Sequence, residues 1–438
     1  MEYIKKENLL RENPRELKVS IGSKVTLWGM VYKIRHMSGF DFLLLQTEKG
    51  LVQCVCSQGT DGLENLCENA AVEITGSLRE EKRSRMGFEV DVGRINVISV
   101  PFAEPPLVIN GKKLSAGQKT VLDNRAASLR NEAQRAVFAI QSETCFGIRQ
   151  FLKGRGFTEI HTPKIVSGSA ESGAGMFELD YFGKKAFLAQ SPQLYKQMMV
   201  PVFGRVYEIG PVFRAEKHDT SRHLNEYTGI DLELGFVTDI SQLMSLEWEM
   251  LSYAIEHVKS ACPQWLEVLK TELPLTDTVP SVTFEEGKAL IAQERGYASK
   301  DKNDFEPDEE KALCRAIKKQ TGSDFVFVTR YKESKRPFYA MDCADDPSLT
   351  ESFDLLFRGM EITTGGLRIH RYEEQVEKMR RKGLDPADFE GYLTAHKCGM
   401  PPHGGMGIGL ERLTACLLGF ENVREASLFP RDITRFTP

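Results

Sequence analysis

Between Lys24 and Val100, apolar and polar positions alternate in short runs. Val25–Ile34, Phe40–Gln46, Leu51–Cys56, Ala71–Leu78 and Gly87–Val100 are rich in β-branched and aromatic residues, so each predicts a strand. Turn residues separate them: Ser38-Gly39, Glu48-Lys49-Gly50 and Gly59-Thr60-Asp61-Gly62. The stretch Asp61–Asn69 reads as one helix between the third and fourth strands. Then Pro101, Pro105, Pro106 and Gly111 break the pattern, and periodicity stays weak through Thr120. The pattern changes period at Ser128–Lys153, where Val137, Ile140, Phe146, Ile148 and Phe151 form part of one helical face, stopped by Gly154 and Gly156. Phe157–Ile165 predicts a strand ending near Pro163. Ala186–Gln197 predicts a strand running into a helix, with Ser191 as N-cap and Pro192 at the first helical position.

Three regions follow: 1–105, a linker at 106–128, and 129–438. Five strands with a helix after the third is the layout of an OB-fold barrel, which often binds oligonucleotides. A barrel of the same pattern with no ligand is the other reading. Tyr32, Phe40 and Phe42 are candidates for stacking on bases, and Arg35, Lys82, Arg83 and Arg85 for phosphates. The run Arg79–Arg85 is nearly balanced in sign until its end and by itself reads as a solvated hairpin.

Composition narrows the class. Of 438 residues, 41% are hydrophobic and 27% charged, which excludes a disordered chain or a fibrous rod. No run of roughly 18 apolar residues predicts a membrane span. The charged start Met1–Glu7 predicts no cleaved leader. The net charge of −5 argues against a general nucleic-acid binder but leaves room for a local basic stripe. Nine cysteines lie scattered without a CxxC pair or zinc spacing, which predicts reduced thiols and a cytoplasmic protein. Cys54 and Cys56 fall on one face of a strand and read as core.

Candidate chemistry lies in the last two-thirds. Gln193 and Lys196 share a helix face near its N-terminus, where a lysine opposes the helix dipole unless an anion is its partner. Gly210–Phe236 reads as strand, loop, strand, with Arg214 and Glu216 on the face of Val212 and Arg222 and His223 just beyond the loop. Two or three cations around a short loop suit a polyphosphate; a salt-bridged surface hairpin is the other reading. Ser352–Thr364 predicts a hairpin turning at Arg358-Gly359, in which Asp354 faces Thr363 and Leu356 faces Glu361. Asp354 and Glu361 then share a face and repel unless a cation such as Mg²⁺ intervenes. Arg368 follows two glycines. In Gly404–Leu413, Gly405, Gly407 and Gly409 alternate, leaving bare backbone where something such as a flat ring lies close. Arg412 sits in the first turn of the helix that follows and should meet an anion. These glycines fit neither of the two common nucleotide-binding loops.

The strand with Pro163, Phe213-Arg214-Ala215-Glu216 and Gly407-Ile408-Gly409-Leu410-Glu411-Arg412 resemble the three motifs of class II aminoacyl-tRNA synthetases. Gln190–Gln197, Arg222-His223-Leu224-Asn225-Glu226, Leu122-Asp123-Asn124-Arg125 and Phe429-Pro430-Arg431-Asp432 narrow the resemblance to aspartyl-tRNA synthetases of the archaeal and eukaryotic type. The class I signatures HIGH and KMSKS are absent from the sequence. The resemblance covers essentially the whole chain. It implies an α+β fold: an antiparallel catalytic sheet flanked by helices, an N-terminal anticodon-binding OB-fold, and a homodimer built partly around the Pro163 strand. It implies two steps, formation of aspartyl-adenylate from aspartate and ATP, then transfer to tRNA(Asp), with tRNA(Asn) as a further acceptor in some relatives.

Roles follow by motif. The resemblance assigns Arg214 to the α-phosphate and, with the aspartate, to catalysis. Ala215, Glu216, Arg222, His223, Leu224, Glu361, Gly409, Leu410, Glu411 and Arg412 fall to ATP, and Asp354, Glu361 and Thr364 to Mg²⁺. Glu171, Gln193, Leu194, Tyr195, Lys196, Thr364 and Arg368 fall to aspartate, Lys196 and Arg368 reading its side-chain carboxylate. Thr364 stands where the family usually has serine and keeps the hydroxyl. Tyr32, Arg35, Phe40, Lys82 and Arg85 fall to the anticodon. Residues 261–337 are expected to be a charged, solvated accessory insertion. Two relatives compete. An asparaginyl-tRNA synthetase shares the architecture, but Lys196 with Arg368 argues for a charged acid over its amide. An asparagine synthetase-like paralogue would not need the barrel.

Overall fold

A computed structural model describes residues 21–48, 50–168, 175–298 and 301–437. The chain divides between Glu132 and Ala133 into two compact units. In the first, β1 (Lys24–Met37), β2 (Phe40–Thr47), β3 (Gly50–Asp61), β4 (Ala71–Glu80) and β5 (Phe88–Ser99) close into a barrel of order β1-β2-β3-β5-β4. Period-2 alternation sends Val25, Leu27, Leu43, Leu45, Ile74 and Val90 inward. Cys54 and Cys56 are fully buried in this core, and burial pushes the Cys56 thiol up to about 11, so both pack as apolar groups. Among the described residues no group of three or more His, Cys, Asp or Glu could hold a metal, and all nine cysteines are free.

The expected helix at Asp61–Asn69 is absent. Its backbone bonds close three residues apart, Leu63 N–H to Thr60 O at 3.1 Å and Leu66 N–H to Leu63 O at 3.1 Å. Its Glu68 carboxylate is recruited by the Ile34 N–H at 3.1 Å. The linker is also less independent than expected. The Tyr32 hydroxyl and the Asn131 amide both donate to the carbonyls of Ile109 and Gly111, at 2.7–3.3 Å. With Asn131 so used, the long helix starts at Glu132, not Ser128, and runs to Gly154.

The second unit is built on an eight-stranded sheet of order β12-β13-β14-β15-β16-β11-β10-β6. The strands are β6 (Thr158–Glu159), β10 (Arg205–Phe213), β11 (Glu226–Gly235), β12 (Ser281–Thr283), β13 (Phe325–Thr329), β14 (Ser352–Phe357), β15 (Met360–Arg368) and β16 (His403–Gly409). All pairings are antiparallel except β6–β10 and β12–β13 at the two edges. β7 (Ile165–Val166), β8 (Glu178–Tyr181) and β9 (Lys184–Leu188) form a separate small sheet. The helices Glu132–Gly154, Ile240–Ala261 and Leu410–Leu418 cover one face with Ile140, Ile148, Leu251, Leu413 and Leu417, against Ile230, Leu232, Leu355 and Met406. The expected strand at Phe157–Ile165 is split: Thr158–Glu159 pairs with β10 and Ile165 with β9, while Pro163 between them has no N–H to donate. No helix among the described residues is long and apolar enough to cross a membrane.

The 261–337 segment is not a solvated appendage. Its β12 and β13 extend the main sheet, and its helices Phe284–Arg295 and Pro307–Thr321 close a core of Phe284, Ile291, Leu313 and Ile317 against Val326 and Val328. Its charges hid an amphipathic pattern: the Pro307–Thr321 helix buries Ala312, Leu313, Ala316 and Ile317 on one face.

Candidate active site

The sheet's other face opens into a cavity of about 390 Å³, within the range of about 300–1,000 Å³ usual for small-molecule sites. One wall is the β14–β15 hairpin. Arg358 and Gly359 both have positive φ (49° and 86°), the signature of a tight primed turn, so Phe357 pairs with Met360 as the sequence predicts. Beyond that the register departs from expectation. A β-bulge shifts it by one residue, so Asp354 faces Thr364, not Thr363, while Leu356 still faces Glu361. The shift matters chemically. In a regular strand Glu361 and Thr364 would project from opposite faces; the bulge brings both to the side of Asp354. The Thr364 hydroxyl donates to Glu361 Oε1 at 3.3 Å. Burial first and then Asp354 push the Glu361 carboxyl above the ordinary range.

A second wall is the connection between β10 and β11, whose ladder ends at Phe213 opposite Glu226. Arg214 and Glu216 therefore stand in a loop, not in the strand expected, yet both still line the cavity with Val212. The Asn225 amide holds that loop by donating to the carbonyls of Arg214 (2.7 Å) and Glu216 (2.9 Å). Arg214 lies over the Tyr227 ring at 5.6 Å and 3.9 Å from Glu216 Oε1. Arg222, His223 and Leu224 join the lining. Burial and the nearby Arg412 hold the His223 pKa below its usual value, so it sits neutral at pH 7. Ala215 contributes its backbone, donating to Gly175 O at 3.0 Å, and its side chain stays outside the lining.

The third wall is the end of β16 and the helix Leu410–Leu418. Gly409, Glu411 and Arg412 line the cavity, whereas Leu410 turns into the core. Arg412 meets the anion its position asks for: it donates to Glu361 O at 3.0 Å and lies 3.6 Å from the Glu361 carboxylate. The Glu411 carboxylate accepts the Thr228 N–H and holds the neighbouring strand. The alternating glycines also serve a purpose that was not expected. A Cβ on Gly405 would collide with Glu233 and the Leu232 carbonyl, and one on Gly407 would sit 3.0 Å from Asp231 Oδ1. At Gly405 and Gly407 the bare strand makes room for two buried carboxylates of β11, and Gly407 and Gly409 also line the cavity.

Those carboxylates were not anticipated and change the reading of the amino-acid end. Lys196 does not line the cavity. It is 1% exposed, and its ammonium donates to Asp231 Oδ1 (2.9 Å) and Met406 O (2.8 Å), with Glu233 at 3.6 Å. Arg368 does line the cavity and gives Nε to Glu233 Oε1 at 3.0 Å and Nη2 to Gly405 O at 2.9 Å. Its Nη1 hydrogens make no hydrogen bond among the described residues. Two cations and two carboxylates thus balance here, so the picture of Lys196 and Arg368 as two uncompensated cations does not hold. Gln193 lines the cavity with its amide nitrogen buried and without a partner among the described residues. Leu194 and Tyr195 point elsewhere, into an adjacent cavity of about 250 Å³. Glu171 lies outside the described residues.

Two more residues escaped the sequence reading. Arg336 lines the cavity, lies 3.9 Å over the Tyr331 ring and donates to Asp354 Oδ2 at 2.8 Å. Glu310, in the Pro307–Thr321 helix, accepts from Arg222 and from the Glu361 N–H. Both belong to the segment expected to be solvated. Asp231-Leu232-Glu233 did carry a signal, since two acids at strand spacing on one face between Ile230 and Leu234 are costly unless paired.

On the barrel, Tyr32 is only 7% exposed and spends its hydroxyl on the linker, which removes it as a stacking platform. Arg85 pairs with Glu132 at 2.6 Å, and Arg83 with Glu81 at 3.1 Å. Phe40 and Phe42 are half-buried and meet edge to face at 5.0 Å. Arg35 stands opposite Phe42 and is exposed, as is Lys82.

Comparison with known proteins agrees with this geometry. Residues 117–433 match the family described as tRNA synthetases class II (D, K and N). A Thermus thermophilus protein named aspartate–tRNA(Asp/Asn) ligase is 44% identical over 97% of this chain and 99% of its own. A Deinococcus radiodurans protein of the same name is 43% identical over 98% and 99%. The crystal structure of Pyrococcus horikoshii asparaginyl-tRNA synthetase with asparaginyl-adenylate superposes with a TM-score of 0.87 at 30% identity, covering 95% of this chain and 97% of that one. With the three motif walls meeting in one cavity and the match running over most of the sequence, the chain belongs to the class II tRNA synthetases of the D, K and N group.

Proposed function

We propose that the chain activates L-aspartate with ATP and transfers it to tRNA(Asp), and also to tRNA(Asn). The observation that supports it most is one cavity with a phosphate end and an acid end. Arg214, Arg222, Arg336 and Arg412 gather around the first; Arg368, with Nη1 unused, and Gln193 stand at the second. Such a cavity positions an aspartate beside the α-phosphorus. The aspartate α-carboxylate attacks, the bond to the β-phosphate oxygen breaks, and pyrophosphate leaves. The terminal ribose 3′-hydroxyl of tRNA then takes the aspartyl group and AMP leaves. No protein nucleophile is needed, so catalysis is positioning plus charge stabilisation at Arg214. Asp231, at the same end, suits the substrate ammonium.

A divalent ion fits the residues present. Asp354 Oδ1 is buried without a partner among the described residues, beside a Glu361 that resists ionising and the Thr364 hydroxyl. Two carboxylates are too few for an all-protein cage, which suits Mg²⁺, an ion that takes one or two carboxylates and completes its shell with phosphate and water. When bound it would tie the triphosphate to Asp354 and Glu361 and offset its charge. Arg336 holds Asp354 from the other side.

The Thermus and Deinococcus relatives are named as ligases of aspartate to either tRNA(Asp) or tRNA(Asn), which favours charging of tRNA(Asn) too. The acceptor stems from those names alone, whereas Arg368 favours an acid over the amide of an asparaginyl enzyme. The barrel face of Arg35, Phe40 and Phe42 with Lys82 is the place for the anticodon. The exposed Phe146, Ile165, Phe203 and Tyr253 support a homodimer through the second unit, and nine free thiols suit the cytoplasm. Aspartylation of purified tRNA(Asp) and tRNA(Asn), side by side, tests the reading. Charging of both is expected; charging of tRNA(Asp) alone removes the second acceptor, and charging of neither removes the activity.

A further inference from the structure

We propose that Glu310, in the 261–337 segment, is a positioning residue of the nucleotide site, coupling that segment to ATP affinity. The inference rests on the ATP reading above. Glu310 lies in the first turn of the Pro307–Thr321 helix, where a carboxylate ordinarily serves the helix's own free N–H groups. Its neighbour Glu309 does that, closing a capping box with Glu306 and pairing with Lys288 at 2.8 Å. Glu310 turns away instead. It is 8% exposed, and its Oε2 accepts from Arg222 Nη2 and from the Glu361 backbone N–H at 2.8 Å. Glu361 in turn receives Arg412 on its carbonyl at 3.0 Å. One oxygen therefore fixes two groups that line the phosphate end and come from distant parts of the chain, and the Glu361 carbonyl ties Arg412 to them. Arg222 keeps its Nε and Nη1 hydrogens unused among the described residues, so a guanidinium oriented through Nη2 still has donors for an anion. Without Glu310, a guanidinium whose side chain is 11% exposed loses its counter-charge and its orientation together.

The test uses the full chain with Glu310→Ala and Glu310→Gln, and Glu309→Gln as a control on the same helix turn. Binding of a non-hydrolysable ATP analogue with Mg²⁺ is titrated by calorimetry, the KM values for ATP and aspartate are read by pyrophosphate exchange, and Tm is recorded for each. For Glu310→Ala the account expects weaker analogue binding and an ATP KM raised about tenfold or more, with the aspartate KM changed less than about twofold. Glu310→Gln should fall between, keeping an acceptor for the Glu361 N–H but no charge. Glu309→Gln should lower Tm and leave the ATP KM alone. Adding Arg222→Ala to Glu310→Ala should cost less than the two single effects combined. Analogue affinity equal to wild type in both Glu310 variants, whatever Tm does, overturns the inference. Should Glu310→Ala fail to fold, Glu310→Gln decides it by the same titration. A wild-type chain that binds the analogue yet shows no aspartate-dependent exchange sinks the proposed activity instead, and the titrations still judge Glu310.

Discussion

Glu247 shows what a single buried carboxyl does to this protein. It projects from the Ile240–Ala261 helix, is fully buried, and accepts the Thr363 hydroxyl at 2.5 Å, with Oε2 left without a partner among the described residues. Burial pushes its carboxyl from 4.5 to about 8. The folded chain therefore keeps this proton across a window in which the unfolded chain has lost it, and stability falls as pH rises from 4.5 to about 8. Glutamine keeps the shape and cannot titrate. Melting of Glu247→Gln and wild type near both ends of that window should show the variant gaining relative stability towards high pH, by at most about 1.4 kcal/mol per pH unit. Parallel curves would mean Glu247 is ionised in the fold. Residue chemistry of this kind was half legible. Arg214, Glu361 and Arg412 carry motif spacing, and the cavity collects all three. Lys196 misled because its counter-ions, Asp231 and Glu233, lie on a strand 35 residues away; a charge's partner is a tertiary fact.

At the level of elements, strand positions were legible because alternation is a local signal, and all five barrel runs match strands to within a few residues. The bulge in β15 was not, since nothing in Met360–Arg368 marks Ile362 as the extra residue. Yet it decides the site, bringing Glu361 and Thr364 to one side. β16 makes the complementary point. Its glycines were visible, but what they make room for depends on the register with β11, Gly405 opposite Glu233 and Gly407 opposite Asp231. Gly405→Ala should lower stability by about 1–3 kcal/mol, because the new methyl meets the rigid Leu232 carbonyl as well as the Glu233 carboxylate. Differential scanning of the variant measures it; a Tm equal to wild type would mean β11 and β16 are spaced more loosely than described.

For the whole molecule, the two-part division was legible from the proline-rich break after Val100, but its position was not. The linker bonds to the barrel through Ile109 and Gly111, and the division falls at Glu132. Charge suggested that 261–337 is solvated surface, whereas that segment supplies two strands of the main sheet and two groups, Glu310 and Arg336, to the site. What the whole chain was needed for is the assembly of a single cavity from regions far apart in sequence. The measurement that bears most directly on it is ATP–pyrophosphate exchange without tRNA, with aspartate or asparagine as the only amino acid, for wild type and Arg368→Leu. Exchange should require aspartate in wild type, and kcat/KM for aspartate should fall about a hundredfold or more in Arg368→Leu with the ATP KM near wild type. Exchange driven by asparagine, or undiminished in the variant, would contradict a cavity that seats an acidic amino acid against Arg368 beside the triphosphate.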